Sequence, residues 1–363
     1  MSASRATSRR PWVPVAILLV GVFLLAACGN DSTSNGSEGS DGESEPVSIK
    51  AATVSASPLG HPYLYVAEVL GFFEEQNLDV EIIGGIEAGT PEQSLETGIV
   101  DFSSVSQDSL VPLAAERPDL PLRIFLHEEL WVDQIVTLAE FGYETGADLE
   151  GKVIGVPEAK DEAVATLLMS AAGVEPGNYE MLVVGDRAPA AAAMERGEVD
   201  AFAGTFVDEF AMEQAGYDVQ LIDTGNTFSF YNAGFATTTE MIENRPEVVV
   251  RFGQAVAKAM IWVFDADTEV ILDIVGELEP EAVQDRETAT LILDAIKDRY
   301  RPIYETRGEG DLEAWQGVVD LYVDLEQLEE SYDASLLFTN DFIDQIWDFD
   351  VESVVSAAKA GDR

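Results

Sequence analysis

The chain has 363 residues, and its 68 acidic and 20 basic residues give it a formal net charge of −48 at pH 7. A charge of this sign and size argues against nucleic-acid binding and against attraction to anionic lipid headgroups. Because the acids are spread along the chain, a surface adapted to high salt explains them better than a cation-scavenging surface does.

The first 27 residues have the order of an export signal. Arg5, Arg9 and Arg10 precede an apolar segment at 12–27, which ends in small residues. This order predicts a signal peptide, and the apolar run is shorter than the roughly 20 residues that span a membrane. Residues 8–13 also resemble a twin-arginine signal, so the export route stays open between that system and the general secretory one.

Cys28 is the only cysteine of the chain and directly follows the apolar segment. Residues 25–28, Leu-Ala-Ala-Cys, resemble a bacterial lipobox, in which the cysteine becomes the lipidated first residue of the mature protein. The alternative is a simple secretory signal with an incidental cysteine. A single cysteine cannot form an intrachain disulfide, so stability must come from core packing.

The segment 28–46 is predicted to be a flexible acidic Ser/Gly tether. From residue 31 it contains serine, glycine, asparagine, threonine and acids but no apolar side chain before its end, so it cannot bury enough surface to fold. A lipid anchor followed by such a tether predicts an extracytoplasmic protein that is held at the cell membrane without being embedded in it.

From residue 47 onward, short β-branched runs alternate with periodic apolar segments, which is typical of the α/β class. After residue 238 the pattern is helical. Strands are predicted at Ser48–Val54, Val80–Ile83, Phe102–Val105, Arg123–Phe125, Gln134–Leu138, Val153–Val156, Met181–Val184, Val199–Ala203, Val219–Ile222 and Ala233–Thr237. Helices are predicted at Tyr63–Glu75, Asp161–Ala172, Pro246–Phe264, Glu269–Leu278 and Leu312–Leu325.

Five segments together carry a family resemblance: His61–Ile83, Gly98–Ser106, Asp148–Pro157, Glu195–Gly204 and Ala314–Ile343. In this order and spacing they resemble the substrate-binding proteins of ABC transporters for thiamine-pyrimidine precursors, nitrate, sulfonates and taurine. The last segment, with "AWQ" and "LFTNDFI", is most similar to the pyrimidine-precursor branch. The resemblance covers most of the chain after the tether.

The resemblance implies a two-lobe fold like that of type II periplasmic binding proteins, closing on its ligand at a hinge with two crossovers. Lobe one would comprise 47–138 and 235–363, with helices at the C-terminal end, and lobe two would comprise 139–234. Ligands bind beyond the carboxyl ends of the strands in open α/β sheets, so the loops that follow strands are expected to line the cleft.

The first such loop precedes the helix predicted at Tyr63. It offers the hydroxyl of Ser57, the imidazole of His61, the ring of Tyr63 and free backbone N–H groups, which suit a ligand with acceptor atoms, although an ordinary helix cap explains them too. The pyrimidine-precursor pattern has an Asp-Trp pair before its histidine. Here Val54 and Ser55 stand at the corresponding places, so a stacking tryptophan is missing.

The second loop carries Ser104, Ser106 and Gln107 directly after a predicted strand. Hydroxyl groups and helix N–H groups can hold polar edges of a ligand without a charge. A helix-capping role explains the same residues equally well.

The second lobe contributes two acidic loops and a pair of aromatic candidates. Carboxylates can accept hydrogen bonds from amino or ring N–H groups and rings can stack on a planar ligand, but acids are often solvated surface and hinge aromatics are often packing. The pyrimidine-precursor branch carries a glutamate in the second loop. The candidates are Glu158, Lys160, Asp161, Phe206, Asp208, Glu209, Phe228 and Tyr231.

Catalysis has little support in the sequence. The chain has two histidines, His61 and His127, and no thiol once Cys28 is lipidated, which excludes a His/Cys metal cage and a Cys-His nucleophile. No Walker loop, G-x-S-x-G elbow or dinucleotide fingerprint occurs. We therefore expect neither enzyme activity nor a cofactor or metal.

These patterns predict a monomeric, lipid-anchored receptor that hands a small organic solute to an ABC permease with a separate ATPase. A thiamine-pyrimidine precursor or a related heterocycle is the favoured ligand, because the presumed cleft loops contain few cations. Nitrate, a sulfonate or taurine is the alternative. A pyrimidine-precursor biosynthetic enzyme and a ligand-binding sensor domain are the alternatives from other classes.

Overall fold

The computed structural model describes residues 45–53, 58–83, 90–130, 133–224, 231–324 and 326–362. The predicted signal, Cys28 and most of the tether therefore lie outside the described residues. Among the described helices, none combines the length and the apolar character needed to cross a membrane.

The first lobe is built on a mixed five-stranded sheet with the order β2-β1-β3-β10-β4. The neighbouring strands β1 and β2 run parallel, with Val47 opposite Leu78, and β10 runs antiparallel to both of its neighbours. The α/β prediction is confirmed here. The strands are β1 (Val47–Ala52), β2 (Leu78–Ile83), β3 (Phe102–Ser106), β4 (Leu122–Leu130) and β10 (Tyr231–Thr238).

The second lobe is built on a second mixed sheet with the order β7-β6-β8-β5-β9, in which β5 is antiparallel to β8 and β9. This order repeats that of the first sheet, with β5 in the place of β10. The strands are β5 (Asp133–Leu138), β6 (Val153–Val156), β7 (Glu180–Val183), β8 (Ala201–Thr205) and β9 (Val219–Leu221).

The strand pairing moves both predicted lobe boundaries. The sequence predicts the first boundary between residues 138 and 139, but β5 pairs with β8 and belongs to the second sheet. It predicts the second boundary between residues 234 and 235, but β10 pairs with β4 from residue 231. Each hinge strand joins the sheet that it enters, so both crossovers lie N-terminal to their predicted positions.

Helices cover both sheets, and after β10 the chain is almost entirely helical, as predicted. The predicted helix Tyr63–Glu75 is interrupted at Gly71, whose φ of 73° ends the regular turn. The helices are α1 (Tyr63–Val69), α2 (Phe72–Glu75), α3 (Pro91–Glu96), α4 (Gln107–Glu116), α5 (Glu162–Ala171), α6 (Arg187–Glu195), α7 (Phe206–Gln214), α8 (Thr239–Asn244), α9 (Pro246–Asp265), α10 (Thr268–Leu278), α11 (Arg286–Glu305), α12 (Leu312–Asp324), α13 (Ile343–Ile346) and α14 (Val351–Ala360).

The core of the first lobe is organised around α9. Phe252 of this helix is fully buried and stacks on Phe102 of β3, with ring centroids 4.2 Å apart. Phe73 and Phe235 pack on the same ring at 5.7 and 5.6 Å. Truncating such a ring to alanine typically lowers the free energy of unfolding by about 3–5 kcal/mol. This cluster is therefore a main source of stability in a chain whose single cysteine cannot form an intrachain disulfide.

His127 ties the C-terminal helices to β4. Its Nδ1 lies 3.1 Å from the carbonyl oxygen of Gly308, and its Nε2 accepts from the indole N–H of Trp315 at 3.1 Å. Burial lowers the pKa of this histidine to about 4, with the Gly308 bond opposing the shift, so the ring is neutral and Nδ1 carries its proton. The two bonds attach α12 and the turn that follows α11 to β4, and α11 carries part of the site described below.

Candidate functional site

A cavity of about 510 Å³ lies between the two lobes, where the loops that follow strands meet. The first lobe contributes the segment before α1 and one face of α11. The second contributes the loops after β6 and β8 and the start of α6, as the strand-end rule predicts. The lining residues are Gly60, His61, Pro157, Glu158, Asp161, Asp186, Arg187, Thr205, Phe206, Val207, Asp208, Ile292, Ile296 and Tyr300.

His61 lies between two buried carboxylates at the wall of this cavity. Its Nδ1 is 3.1 Å from Oε1 of Glu129 and 3.6 Å from Oε2 of Glu128, and the side chains of His61 and Glu128 are 3% and 0% exposed. Burial alone would lower the pKa of His61, but the charges of Glu129 and Glu128 outweigh it and raise the pKa to about 9. His61 is therefore an imidazolium at neutral pH.

A β-bulge explains how two adjacent glutamates reach one imidazole. The pairing of β10 with β4 passes from Gly234 opposite His127 to Ala233 opposite Glu129, which leaves Glu128 as an extra residue on β4. Neighbouring side chains of a regular strand point to opposite faces, and a bulge breaks this alternation. Both oxygens of Glu128 lack a hydrogen-bond partner among the described residues.

Two tyrosines border the charged group. Tyr63 of α1 is fully buried, packs on Phe264 at 6.2 Å, and has a hydroxyl without a hydrogen-bond partner in the described part of the chain. Tyr300 of α11 lines the cavity and is also buried. Burial and then the charges of Glu128 and Glu129 raise the pKa of both phenols, so both are neutral donors.

Asp133, the first residue of β5, adds a further acid where the chain enters the second lobe. It pairs with Thr205 across the β5–β8 ladder, next to Asp208. Burial is the largest cause that raises its pKa to about 7, and the charges of Asp108, Asp161 and Asp208 follow. Asp133 thus begins the strand that pairs with the end of β8.

The acidic loops of the second lobe are organised by capping boxes. Oδ2 of Asp208 accepts from the backbone N–H and the hydroxyl of Thr205, both at 2.8 Å. Oδ2 of Asp161 accepts from the backbone N–H of Glu158 at 3.0 Å, and the Glu158 side chain accepts in return. Asp208 is 6% exposed, so its predicted ligand contact would have to use the other oxygen.

Glu209 accepts a hydrogen bond from the side-chain amide of Gln134, which lies on β5. Gln134 is 7% exposed, and its own Oε1 lacks a hydrogen-bond partner among the described residues. The amide fixes the carboxylate of Glu209 beside β5, the first hinge strand.

The predicted site residues of β3 and α4 are of two kinds: one caps a helix, and the others carry buried polar groups without hydrogen-bond partners among the described residues. Ser106 is the N-cap residue of α4, and its hydroxyl lies 3.1 Å from that of Ser109. Ser104 and Gln107 are buried, and neither the Ser104 hydroxyl nor the Gln107 amide nitrogen has a partner in the described ranges. Buried polar groups without partners are rare and point to a polar ligand or water.

The predicted stacking rings lie in apolar packing. Phe206 begins α7 of the second lobe and is 5% exposed. It belongs to the same apolar cluster as Ile296 of the first lobe, and both residues line the cavity. Tyr63 lies within the core and offers no exposed face. Ser57 and Phe228 lie outside the described residues, as do the side chains of Lys160 and Tyr231.

Four residues of the site, Glu128, Glu129, Asp133 and Tyr300, were not among our sequence candidates. The predicted strand Arg123–Phe125 ended before the two glutamates, whereas β4 continues to Leu130. No helix was predicted at α11, which carries Tyr300. Within the described residues, no group of three or more His, Cys, Asp or Glu side chains is arranged to hold a metal ion.

Comparison with known proteins gives consistent matches. The model of the NMT1/THI5-like family matches residues 59–269. The formylaminopyrimidine-binding protein of Halalkalibacterium halodurans is 25% identical over 315 residues, which are 83% of this chain and 90% of that protein.

Solved structures share the fold at low identity. The alkanesulfonate-binding protein SsuA of Xanthomonas axonopodis has a TM-score of 0.58 at 14% identity, covering 81% of this chain and 99% of that one. The periplasmic nitrate-binding protein NrtA of Synechocystis has a TM-score of 0.56 at 15% identity, covering 87% and 98%. The desulfurization enzyme DSZB also has this fold, with a TM-score of 0.55 at 13% identity, covering 82% and 98%.

Proposed function

The chain belongs to the NMT1/THI5-like family, and from that membership we propose that it is the extracytoplasmic solute-binding protein of an ABC importer. The observation that carries the proposal is the cavity between two lobes joined by two hinge strands, which is lined by acidic, basic and apolar side chains. The described part of the chain also holds buried polar groups without hydrogen-bond partners. Such a cavity suits the capture of a small solute by domain closure.

The ligand that we propose is a thiamine-pyrimidine precursor or a related small heterocycle. Asp208 and Asp161 line the cavity, and their carboxylates, like that of the predicted contact Glu209, can accept from amino and ring N–H groups, which an aminopyrimidine offers. Among the described side chains, the cavity lining has two cations, His61 and Arg187. Arg187 is paired with Asp186 at 3.6 Å. Nitrate or a sulfonate, the alternative, would meet more carboxylates than cations here.

Mass spectrometry of the ligand released from the purified protein, followed by calorimetry, tests this proposal. We expect tight binding of aminopyrimidines and no tight binding of nitrate, taurine or alkanesulfonates. A released sulfonate, bound tightly again on re-addition, would refute the pyrimidine assignment and favour the alternative.

Enzyme activity is the second candidate, because DSZB shares the fold. We propose a binding role instead, since His61 is a charged imidazolium held by two glutamates and is therefore unsuited to act as a base at neutral pH. Incubation of stoichiometric ligand with the protein should return the ligand unchanged. A new product, formed repeatedly, would refute the binding role.

For its location, we propose that Cys28 is lipidated and that the mature, monomeric protein is anchored to the cell membrane beside its permease. Cys28→Ser should be processed abnormally and released or left unlipidated, because a serine cannot form the thioether. Retention of an unlipidated Cys28→Ser variant in the membrane at native levels would contradict the anchor.

A further inference from the structure

One apolar cluster contains residues of both lobes, and we call it the shared cluster. Among the described residues, its buried members belong to the first lobe except for Leu167 and Phe206, which are 2% and 5% exposed. The second lobe has two apolar clusters of its own, whose buried members lie between residues 135 and 222. Leu167 and Phe206 are thus buried with the core of the opposite lobe.

Helix α5 divides its two leucines between these cores. Ala165, Leu168 and Met169 belong to a cluster of the second lobe. Leu167 belongs to the shared cluster. At about 100° per residue, Leu167 lies about 200° around the helix from both Ala165 and Met169. The side of α5 that carries Leu167 is therefore turned away from the core of its own lobe.

The start of α7 contributes to the same contact. Phe206 and Val207 lie in the first turn of α7, which the capping box of Thr205 and Asp208 holds in place. Val207 is partly buried and packs against the shared cluster. The second lobe therefore presents apolar side chains to the first lobe from two helices, α5 and α7.

Helix α11 supplies an apolar stripe of the first lobe at the cavity. Ile292, Ile296 and Tyr300 are spaced by four residues and so lie on one face of the helix. Ile296 and Tyr300 are buried members of the shared cluster, and Ile292 packs against it. All three line the cavity, as do Phe206 and Val207, whereas Leu167 is not part of the lining. The contact between the lobes thus borders the cavity and extends beyond it.

Within the proposed function, we propose that Leu167, Phe206 and Val207 form an apolar latch that holds the second lobe closed on the first. Leu167 sets the affinity for the solute without touching it. When the lobes part, the latch residues lose the first-lobe side chains with which they are buried. Burial of apolar surface therefore favours the closed arrangement. A solute that binds between closed lobes binds more weakly when that arrangement is less populated.

Cysteine labelling at two neighbouring positions tests the latch without a ligand. Leu167→Cys and Leu168→Cys place the same thiol on one helix at positions that are both 2% exposed. Parting of the lobes exposes only the first position, whereas the second lies in the core of its own lobe. We expect a thiol reagent to modify Leu167→Cys at least about 10-fold faster in the purified full-length protein, because local opening precedes unfolding. Peptide mass spectrometry separates both thiols from Cys28.

Truncation of the same two leucines measures the effect on binding. Leu167→Ala should weaken an aminopyrimidine about 10-fold in calorimetry, because the closed arrangement loses buried apolar surface. Leu168→Ala is the matched control, since it removes the same atoms from the core of the second lobe. It should lower the melting temperature and leave the affinity of the folded protein nearly unchanged. Melting curves identify a variant that fails to fold, and the labelling rates then decide.

The outcomes separate the latch from the function on which it rests. Faster labelling of Leu167→Cys, slowed by saturating aminopyrimidine, together with weaker binding by Leu167→Ala, supports the latch. Equal labelling of the two thiols, or binding by Leu167→Ala as tight as that of the unmodified protein, overturns it and leaves the receptor standing. If the unmodified protein binds neither an aminopyrimidine nor ethanesulfonate, the proposed ligands are refuted, and the labelling rates alone decide the latch.

Discussion

Replacing His61 by glutamine removes the one described positive charge between Glu128 and Glu129 while keeping a polar side chain of similar size. The pKa of about 9, against 6.5 for an unperturbed histidine, corresponds to about 3 kcal/mol of folding free energy. Breaking a buried ion pair typically costs about 3–5 kcal/mol, which agrees with this value. The change is large compared with the 5–15 kcal/mol by which most domains are stable.

This contribution has a definite pH dependence. Because folding raises the pKa of His61, its stabilisation is fully present below pH 6.5 and is lost as the pH rises through about 9. Between pH 7.5 and pH 10 the unmodified protein should lose about 2 kcal/mol more than His61→Gln. Urea unfolding of both proteins at these two pH values measures the difference, and titrating groups remote from His61 act on both proteins alike.

An NMR titration measures the pKa values of the two histidines directly. His61 should titrate near pH 9 and His127 near pH 4, so no imidazole signal should shift between about pH 5.5 and 8 in the folded protein. The urea-unfolded chain is the control, with both rings near 6.5. A folded-state titration near 6.5, or a stability difference independent of pH, would refute the charged His61.

Three further predictions concern the ligand, a close backbone approach and salt. Glu209→Gln should weaken an aminopyrimidine by about 1.5–3 kcal/mol in calorimetry and leave a sulfonate unaffected or bound more tightly; the opposite result would contradict the predicted contact. Gly310→Ala places a Cβ 2.6 Å from the Phe338 ring and 2.7 Å from Cε1 of His127 and should cost about 1–3 kcal/mol, whereas Gly317→Ala, in open space within α12, should stabilise the protein by up to about 1 kcal/mol, both measured by urea unfolding. The melting temperature should rise between low and molar salt as surface repulsion is screened, and an unchanged value would show local compensation.

The sheets were accessible from the sequence because hydrophobic runs and turn residues repeat locally. The ten predicted strands each overlap an observed one, and Val153–Val156 agrees at both ends. The lobe boundaries could not be predicted from such local patterns. The sheet to which Asp133–Leu138 belongs is decided by its pairing with a strand 65 residues or more away in the chain.

The site was only partly predictable. His61, Glu158 and Phe206 follow strands and open helices, which is a pattern visible in the sequence, and all three line the cavity. Glu128 owes its position to a bulge in the pairing of β4 with β10, and an acid in so acidic a chain carries no local signal of burial. Tyr300 depends on how α11 packs, which propensity alone does not determine.

The pairing of Leu130 with Tyr231 has a consequence for how the molecule can be divided. These residues face each other on adjacent antiparallel strands, so β4 and β10 form a β-hairpin whose turn is replaced by the second lobe. In this description the first lobe is the host and the second lobe is the inserted guest domain. Every strand of the guest sheet lies within 133–224, and none is borrowed from the host. An Asn-Gly turn could take the place of 131–230 and close the hairpin. The guest thus enters the host at a single point of one hairpin, and it carries one wall of the cleft.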